Sequence, residues 1–329
     1  MPVKMVEVLR SGVIESIHYG DAVVVRADGQ VICSIGDHNR LTFFRSTSKP
    51  LQTLYFLETG IADKYGLDLK EIAVITSSHI GEDTHISALR GILGKIGESE
   101  SALKCGIHEP ISKEASSKIA AAGEKLTVLH NNCSGKHIGF IAAAKAKKYG
   151  IENYYKESHM VQKEALNTVT EFANMEPSMV HKGFDGCGVP VIAAPLKNLA
   201  LAYANLCNEG FKDGKYIKSQ NYLISAMTMY PEMVGGKGRT DTELMRQFGS
   251  RIICKLGDEG VFCVGIIGKA TGIALKIEDG SMRALGPAVL NLLINLGIIG
   301  AGEIDEIEGL WKPPLINHIG DVVGEIHPI

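Results

Sequence analysis

The spacing of apolar residues changes twice along the chain. Through residues 3–36 the apolar positions are mostly β-branched: Val6, Val8, Val13, Val23, Val24, Val25, Val31 and Ile32. Such side chains favour strands, and Asp28-Gly29 between two of these runs predicts a hairpin turn. Residues 41–44 read as one more short strand or a loop. From Leu51 the spacing becomes helical, through Leu54, Tyr55, Leu57 and Ile61, with a break at Gly60. Pro50 suits a first helical turn, where its missing N–H costs nothing, and it biases Lys49 away from the α region.

Residues 68–82 run from an apolar segment into Ser77-Ser78-His79-Ile80-Gly81-Glu82. The apolar part is a buried strand or a short buried helix, and period alone does not choose. Helix dominates residues 85–229, with candidate segments at 84–97, 113–123, 135–149, 157–175, 195–208 and 218–229 and an extended piece at 184–194. The β pattern returns at 252–254, 261–267 and 272–277. The turn Glu278-Asp279-Gly280 and a helix over about 281–298 follow. The tail, about 301–329, with Pro313, Pro314, Pro328 and a lone Trp311, is expected to lie extended on the body or on a partner subunit.

Strands at both ends with helices between them predict an α+β fold, one antiparallel sheet built from both termini with packed helices and a helical insertion. The chain reads as a single catalytic unit. Its sheet subdomain covers about 1–45 and 250–300, and its mainly helical subdomain about 46–249.

An apolar fraction of 45% and a charged fraction of 22% are those of an ordinary globular protein. A net charge of −3 gives no reason to expect nucleic acid or an anionic membrane as partner. No apolar run reaches transmembrane length, the first residues lack a signal-peptide core, and a cytoplasmic location is expected. The seven cysteines are odd in number and scattered, which is not a disulfide framework. Cys33, Cys207, Cys254 and Cys263 sit in apolar runs as small hydrophobes. Cys133 and Cys187 sit among polar and glycine residues instead.

Ser46 and Lys49 stand one helical turn apart, a spacing that lets a lysine serve as base to a serine nucleophile. That lysine must lose its proton well below the usual value of about 10.4, which burial and a second cation both promote. A solvated helix start yields the same letters, so the pair gains meaning from its company. His130-Asn131-Asn132-Cys133-Ser134-Gly135-Lys136-His137 crowds reactive groups just before a helix, where free N–H groups favour an anion or oxyanion. Gly183-Phe184-Asp185-Gly186-Cys187-Gly188 suits a tight turn that presents side chains, and Lys255-Leu256-Gly257-Asp258-Glu259-Gly260 reads as a turn between strands. The cysteine spacing by itself does not make a structural zinc site.

These stretches, in this order, together with Arg45, Ser78-His79-x-Gly81-Glu82, Glu7 and Arg239-x-Asp241-x-x-Leu244-Met245, resemble the Rhizobium etli-type L-asparaginases, the asparaginase II family. The similarity runs over about residues 3–296. The resemblance implies a fold like that of serine β-lactamases, penicillin-binding proteins and serine glutaminases. It implies hydrolysis of L-asparagine to L-aspartate and ammonia, and a homodimer. It implies two Ser-Lys pairs, Ser46 with Lys49 and Ser78 with Lys255, and zinc held by Cys133, Lys136 and Cys187. Arg45, His79, Asn132, His137 and Asp185 are the expected substrate-binding residues. Ile80 departs from the small polar residue usual after Ser-His, and Ser48 adds a hydroxyl inside the S-x-x-K; both bear on substrate fit. The alternatives are a glutaminase or a penicillin-binding or β-lactamase-type acylase on the same fold, and a non-catalytic metal or thiol redox sensor.

Overall fold

β-Branched runs at both ends of the chain meet in one antiparallel sheet. A computed structural model describes residues 1–329. The strands are β1 (Val3–Arg10), β2 (Val13–Arg26), β3 (Val31–Ile35), β4 (Leu41–Phe43), β5 (His181–Phe184), β6 (Pro190–Pro195), β7 (Ile252–Gly257), β8 (Val261–Ile266), β9 (Thr271–Ile277), β10 (Pro314–Ile316) and β11 (Val322–Pro328). The large sheet has the order β10-β11-β1-β2-β9-β8-β7, with β3 paired to β2 as well. Val23 lies opposite Ala274, and Val264 opposite Ile273 and Cys254. A smaller sheet has the order β4-β6-β5. The α+β arrangement expected from the strand–helix–strand order is what the chain adopts.

Both faces of the large sheet are covered, which explains why β7 and β8 are buried at every position. Side chains alternate between the faces of a strand. Gly272 of β9 faces the helix Leu196–Leu206 so closely that a Cβ there would stand 1.9 Å from the Ala200 carbonyl oxygen. Leu275 of the same strand faces the helix Leu285–Asn295 on the other side.

The apolar segment that was open between strand and helix is a helix, Leu69–Ile75, started by a capping box of Asp68 and Glu71. The stretch between Met229 and Arg251, which carries no assignment from periodicity, holds a helix at Thr240–Phe248. The tail, expected to be extended, ends in a hairpin: β11 pairs with β1, Ile326 opposite Val8. No helix is long and apolar enough to cross a membrane.

Three helices frame the site, two of them carrying Lys49 and Lys136, and small side chains let them touch. The helix Lys49–Glu58 packs against Ser134–Lys147, where a Cβ on Gly139 would stand 2.5 Å from the Phe56 ring. Ser134–Lys147 in turn meets Leu69–Ile75, where a Cβ on Gly135 would stand 2.0 Å from the Val74 carbonyl oxygen. Gly135 lies in the first turn of its helix, beside Cys133 and Lys136. Gly135→Ala is therefore expected to cost about 3 kcal/mol, the upper end of overpacking penalties, and to lower activity with stability. Urea denaturation measures it, and a midpoint equal to that of the wild type would refute the close-packing argument.

Candidate active site

Residues Arg45–Ser48 form a 3-10 turn that runs directly into the helix Lys49–Glu58. Arg45 has φ +49°, the left-handed region that a side chain adopts only at a cost. Two ion pairs hold it there: Nε donates to Asp185 Oδ1 at 3.0 Å, and Nη2 to Asp258 Oδ2 at 3.3 Å. The first N–H groups of a helical segment have no partner within it, and no backbone carbonyl accepts from Ser46 N–H. Ser46 is buried as a residue, but its hydroxyl makes no hydrogen bond within the protein and is not sealed off, so it can meet a substrate.

Lys49 is 1% exposed. Its Nζ donates to the Ser77 carbonyl at 2.6 Å, to Ser78 Oγ at 2.8 Å and to the Asn132 carbonyl at 3.3 Å. Lys255, on the edge strand β7, donates to Asp241 Oδ2 at 2.9 Å and to the Leu256 carbonyl at 3.1 Å. The serine–lysine pairing thus differs from the expected one. Ser78 hydrogen-bonds with Lys49, and Lys255 is turned to Asp241, whose charge is a stronger partner than a hydroxyl. Burial pushes Lys255 down to about 8, with Lys49 and Arg239 adding to the effect and Asp241 resisting it.

The second cluster lies across Arg45. Asp185 accepts from Arg45 and stands 3.5 Å from Lys136 Nζ. Burial opposes its charge, but Lys136 and Arg45 bring its carboxyl down to about 2. The ligand atoms of Cys133, Asp185 and Cys187 lie within 4.8 Å of one another, close enough to hold one metal ion. A hydrogen bond from Cys133 lowers Cys187 to about 5 despite burial, with Lys136 helping, while the same bond raises Cys133. Burial works against the charge of Lys136 too, yet the two sulfurs and Asp185 keep it an ammonium.

The remaining expected residues are less exposed to a ligand. His79 is fully buried; its Nε2 hydrogen-bonds with Ser134 Oγ at 2.8 Å and its ring stacks on His85. Burial, with His85 and Lys49 near, keeps it neutral. His137 Nδ1 shares a 2.7 Å hydrogen bond with the Tyr154 hydroxyl, and burial together with Lys136 brings it to about 3. Asn132 contributes its carbonyl to Lys49. Sequence reasoning gave no role to Asn131, whose Oδ1 accepts from Cys133 N–H at 2.8 Å and whose amide ties the loop to the Cys105 carbonyl. Nor did it find a role for Asp241, which entered only as part of the Arg239-x-Asp241-x-x-Leu244-Met245 stretch of the family resemblance.

The profile of the family described as L-asparaginase II matches residues 6–328. No curated protein matches the chain. Among solved structures the chain is similar to Mglu in its native form, with 12% identity, a TM-score of 0.45 and coverage of 85% of this chain; it spans only 65% of that protein's length. It is also similar to a β-lactamase from Mycobacterium bovis, with 14% identity, 85% and 95% of the two chains covered and a TM-score of 0.45. A Bacillus glutaminase gives 13% identity, coverage of 85% and 91%, and a TM-score of 0.37.

Asp185 is shared by two cations, Arg45 and the almost fully buried Lys136. Asp185→Asn should destabilise the fold by about 3 kcal/mol, because removing one partner of a buried pair strands the other. It should also release Arg45. Guanidinium denaturation of the two proteins tests this, and equal stability would mean that Lys136 and Arg45 do not depend on that carboxylate.

Proposed function

Because the chain belongs to the L-asparaginase II family, we propose that it hydrolyses the side-chain amide of L-asparagine to L-aspartate and ammonia, with Ser46 as nucleophile. The observation that carries this reading is the buried cluster in which an unbonded Ser46 hydroxyl lies one turn from Lys49, which in turn holds Ser78. With Lys49 in its neutral form, Ser46 Oγ attacks the amide carbon and its proton passes to Lys49 Nζ. The free N–H of Ser46 is a ready donor to the oxyanion, whose charge develops only in the transition state. A proton returned through Lys49 and Ser78 lets ammonia leave, forming an ester on Ser46. Water then attacks the ester, giving its proton to the same lysine, and aspartate departs.

Ser46→Ala should abolish ammonia release from L-asparagine while circular dichroism stays unchanged. A second reading makes Ser78 the nucleophile, and the 2.8 Å bond to Lys49 is the observation in its favour. Mass spectrometry of a trapped acyl-enzyme separates the two: an adduct on Ser78, or an active Ser46→Ala enzyme, removes Ser46 from the role. Ammonia release from L-glutamine, and turnover of a β-lactam, test the neighbouring substrate classes in the same assay.

Zinc is the metal proposed for the second cluster. The donor set fits: a hydrogen bond from Cys133 draws Cys187 below the usual thiol value, and Cys133 and Asp185 are within reach of the same ion. Lys136 would join only after losing its proton, so its ammonium and the metal are alternatives for that charge. When bound, zinc would supply a positive centre for a polar end of the substrate. The substrate zwitterion is held by Arg45, Asp185 and His137 around that centre. The homodimer is supported by Leu41, Phe43 and Phe184, which expose apolar surface on β4 and β5. A cytoplasmic location is supported by the odd, scattered cysteines.

Elemental analysis of protein purified without chelators should find about one zinc per chain. Cys187→Ser should lose it and raise KM more than it lowers kcat. Full activity in metal-free wild type would sink the metal proposal and leave the serine–lysine chemistry untouched.

A further inference from the structure

Asp241 and Lys255 form an ion pair of 2.9 Å with both side chains wholly buried. Such a pair is weak evidence of stability, since removing two charges from water offsets much of their attraction. Its geometry points elsewhere. Asp241 Oδ2 accepts from Lys255 Nζ and also from Leu256 N–H at 3.1 Å, so the carboxylate grips both the side chain and the strand that carries it. Asp241 sits in the first turn of the helix Thr240–Phe248, where the helix end favours a negative charge.

The segment just before that helix holds the Ser78 loop. Ser78 N–H donates to the Val234 carbonyl at 2.9 Å, and Ile80 N–H to the Gly235 carbonyl at 3.0 Å. Thr242 Oγ1 accepts from Gly236 N–H at 3.1 Å. Gly235 is caught between the two: a Cβ there would stand 2.5 Å from Thr242 Oγ1 and 3.0 Å from Asp241 Oδ1. The adjoining segments 234–236 and 241–242, tied together at Thr242, therefore contact both the Ser78 loop and Lys255.

We propose that Asp241 is the positioning residue of Lys255, fixing its ammonium against strand β7 and governing when that lysine carries charge. The proposal rests on the amidohydrolase reading for its effect on rate. The charged groups facing Lys255 are Lys49, from the helix Lys49–Glu58, Arg239, from the turn before Thr240, and Asp241 itself. Two cations oppose the proton on Lys255, and one anion supports it. Arg239 Nε is 3.9 Å from Asp241 Oδ1, and neither atom has a hydrogen-bond partner, so Lys255 is the principal partner of that carboxylate.

The pH profile of kcat/KM for ammonia release from L-asparagine tests this. In the wild type the profile should show a midpoint near pH 8, where Lys255 loses its proton and its charge no longer acts on Lys49, the base. Asp241→Asn should move that midpoint down by about 1 unit or more, since only the opposing cations remain. Its kcat should fall about 10-fold with KM little changed, because Nζ is no longer held in place. Asp241→Glu should keep the wild-type midpoint. An Asn variant with the wild-type midpoint, or one whose activity falls equally at every pH, would overturn the proposal.

A second measurement does not depend on turnover. The folded Lys255 value, about 8, lies below the unfolded value of about 10.4. Charging Lys255 therefore weakens the fold as pH falls through that window, and Asp241 limits the loss. The Asn variant should be least stable relative to wild type near pH 6, and the gap should narrow above about pH 8. A gap independent of pH, or Asn and wild-type proteins of equal stability at pH 6, would overturn the pairing. Wild type that releases no ammonia from L-asparagine would sink the substrate reading alone, and the denaturation result would still decide on Asp241.

Discussion

Lys49, Lys136 and Lys255 are buried to 1%, 3% and 0% exposure within one core. An ammonium group cannot enter such surroundings without partners, because the lost hydration is worth far more than any packing its stem provides. The site is largely the set of answers to that demand. Lys49 is met by two carbonyls and a hydroxyl, Lys136 by two sulfurs and a carboxylate, and Lys255 by a carboxylate and a carbonyl. Three different answers give three lysines with different chemistry, although their side chains are identical.

Neutral acceptors leave Lys49 in contact with a group that can exchange a proton, Ser78. Full anions do the opposite for Lys136, whose proton is held firmly unless a metal ion replaces its charge. Lys255 stands between these cases, with one anion against two cations, and it is the lysine that burial brings close to neutral pH. The carboxylates are therefore as decisive as the lysines. Asp185 and Asp241 are each drawn down to about 2 by the cations they serve, so neither is protonated in the range where an enzyme works.

Much of the architecture was legible because it rests on local pattern. Val23-Val24-Val25 and Asp28-Gly29 announce a strand and its turn, and the helical spacings from 84 to 229 correspond to helices ending within a few residues of their expected limits. The helix Leu69–Ile75 was ambiguous because a short, fully buried segment is apolar on every face and carries no period. Ser46 and Lys49 were legible because one turn separates them. What joins Lys49 to Ser78 and Lys255 to Asp241 is tertiary: 29 and 14 residues separate the partners, and no spacing rule covers such contacts. The resemblance named Lys136 as the third donor beside Cys133 and Cys187, and the nearness of Asp185 to both sulfurs was not legible for the same reason. Asp185 is two residues from Cys187, but only the turn brings its oxygen and both sulfurs to one point.

Arg45 shows how these parts depend on one another. Its left-handed backbone turns the chain sharply before Ser46, and the turn leaves Ser46 N–H without a carbonyl partner. An arginine would not hold that conformation by itself. Asp258, from the β7–β8 turn, and Asp185, from the glycine-rich turn after β5, hold its guanidinium from two sides. The strain at the serine is thus balanced by the same carboxylate that neutralises Lys136 and faces the two sulfurs. A ligand or ion that drew Asp185 toward the sulfurs would loosen its hold on Arg45, and the backbone beside Ser46 would feel the change. That one side chain thus touches both the cysteine cluster and the arginine that shapes the serine turn.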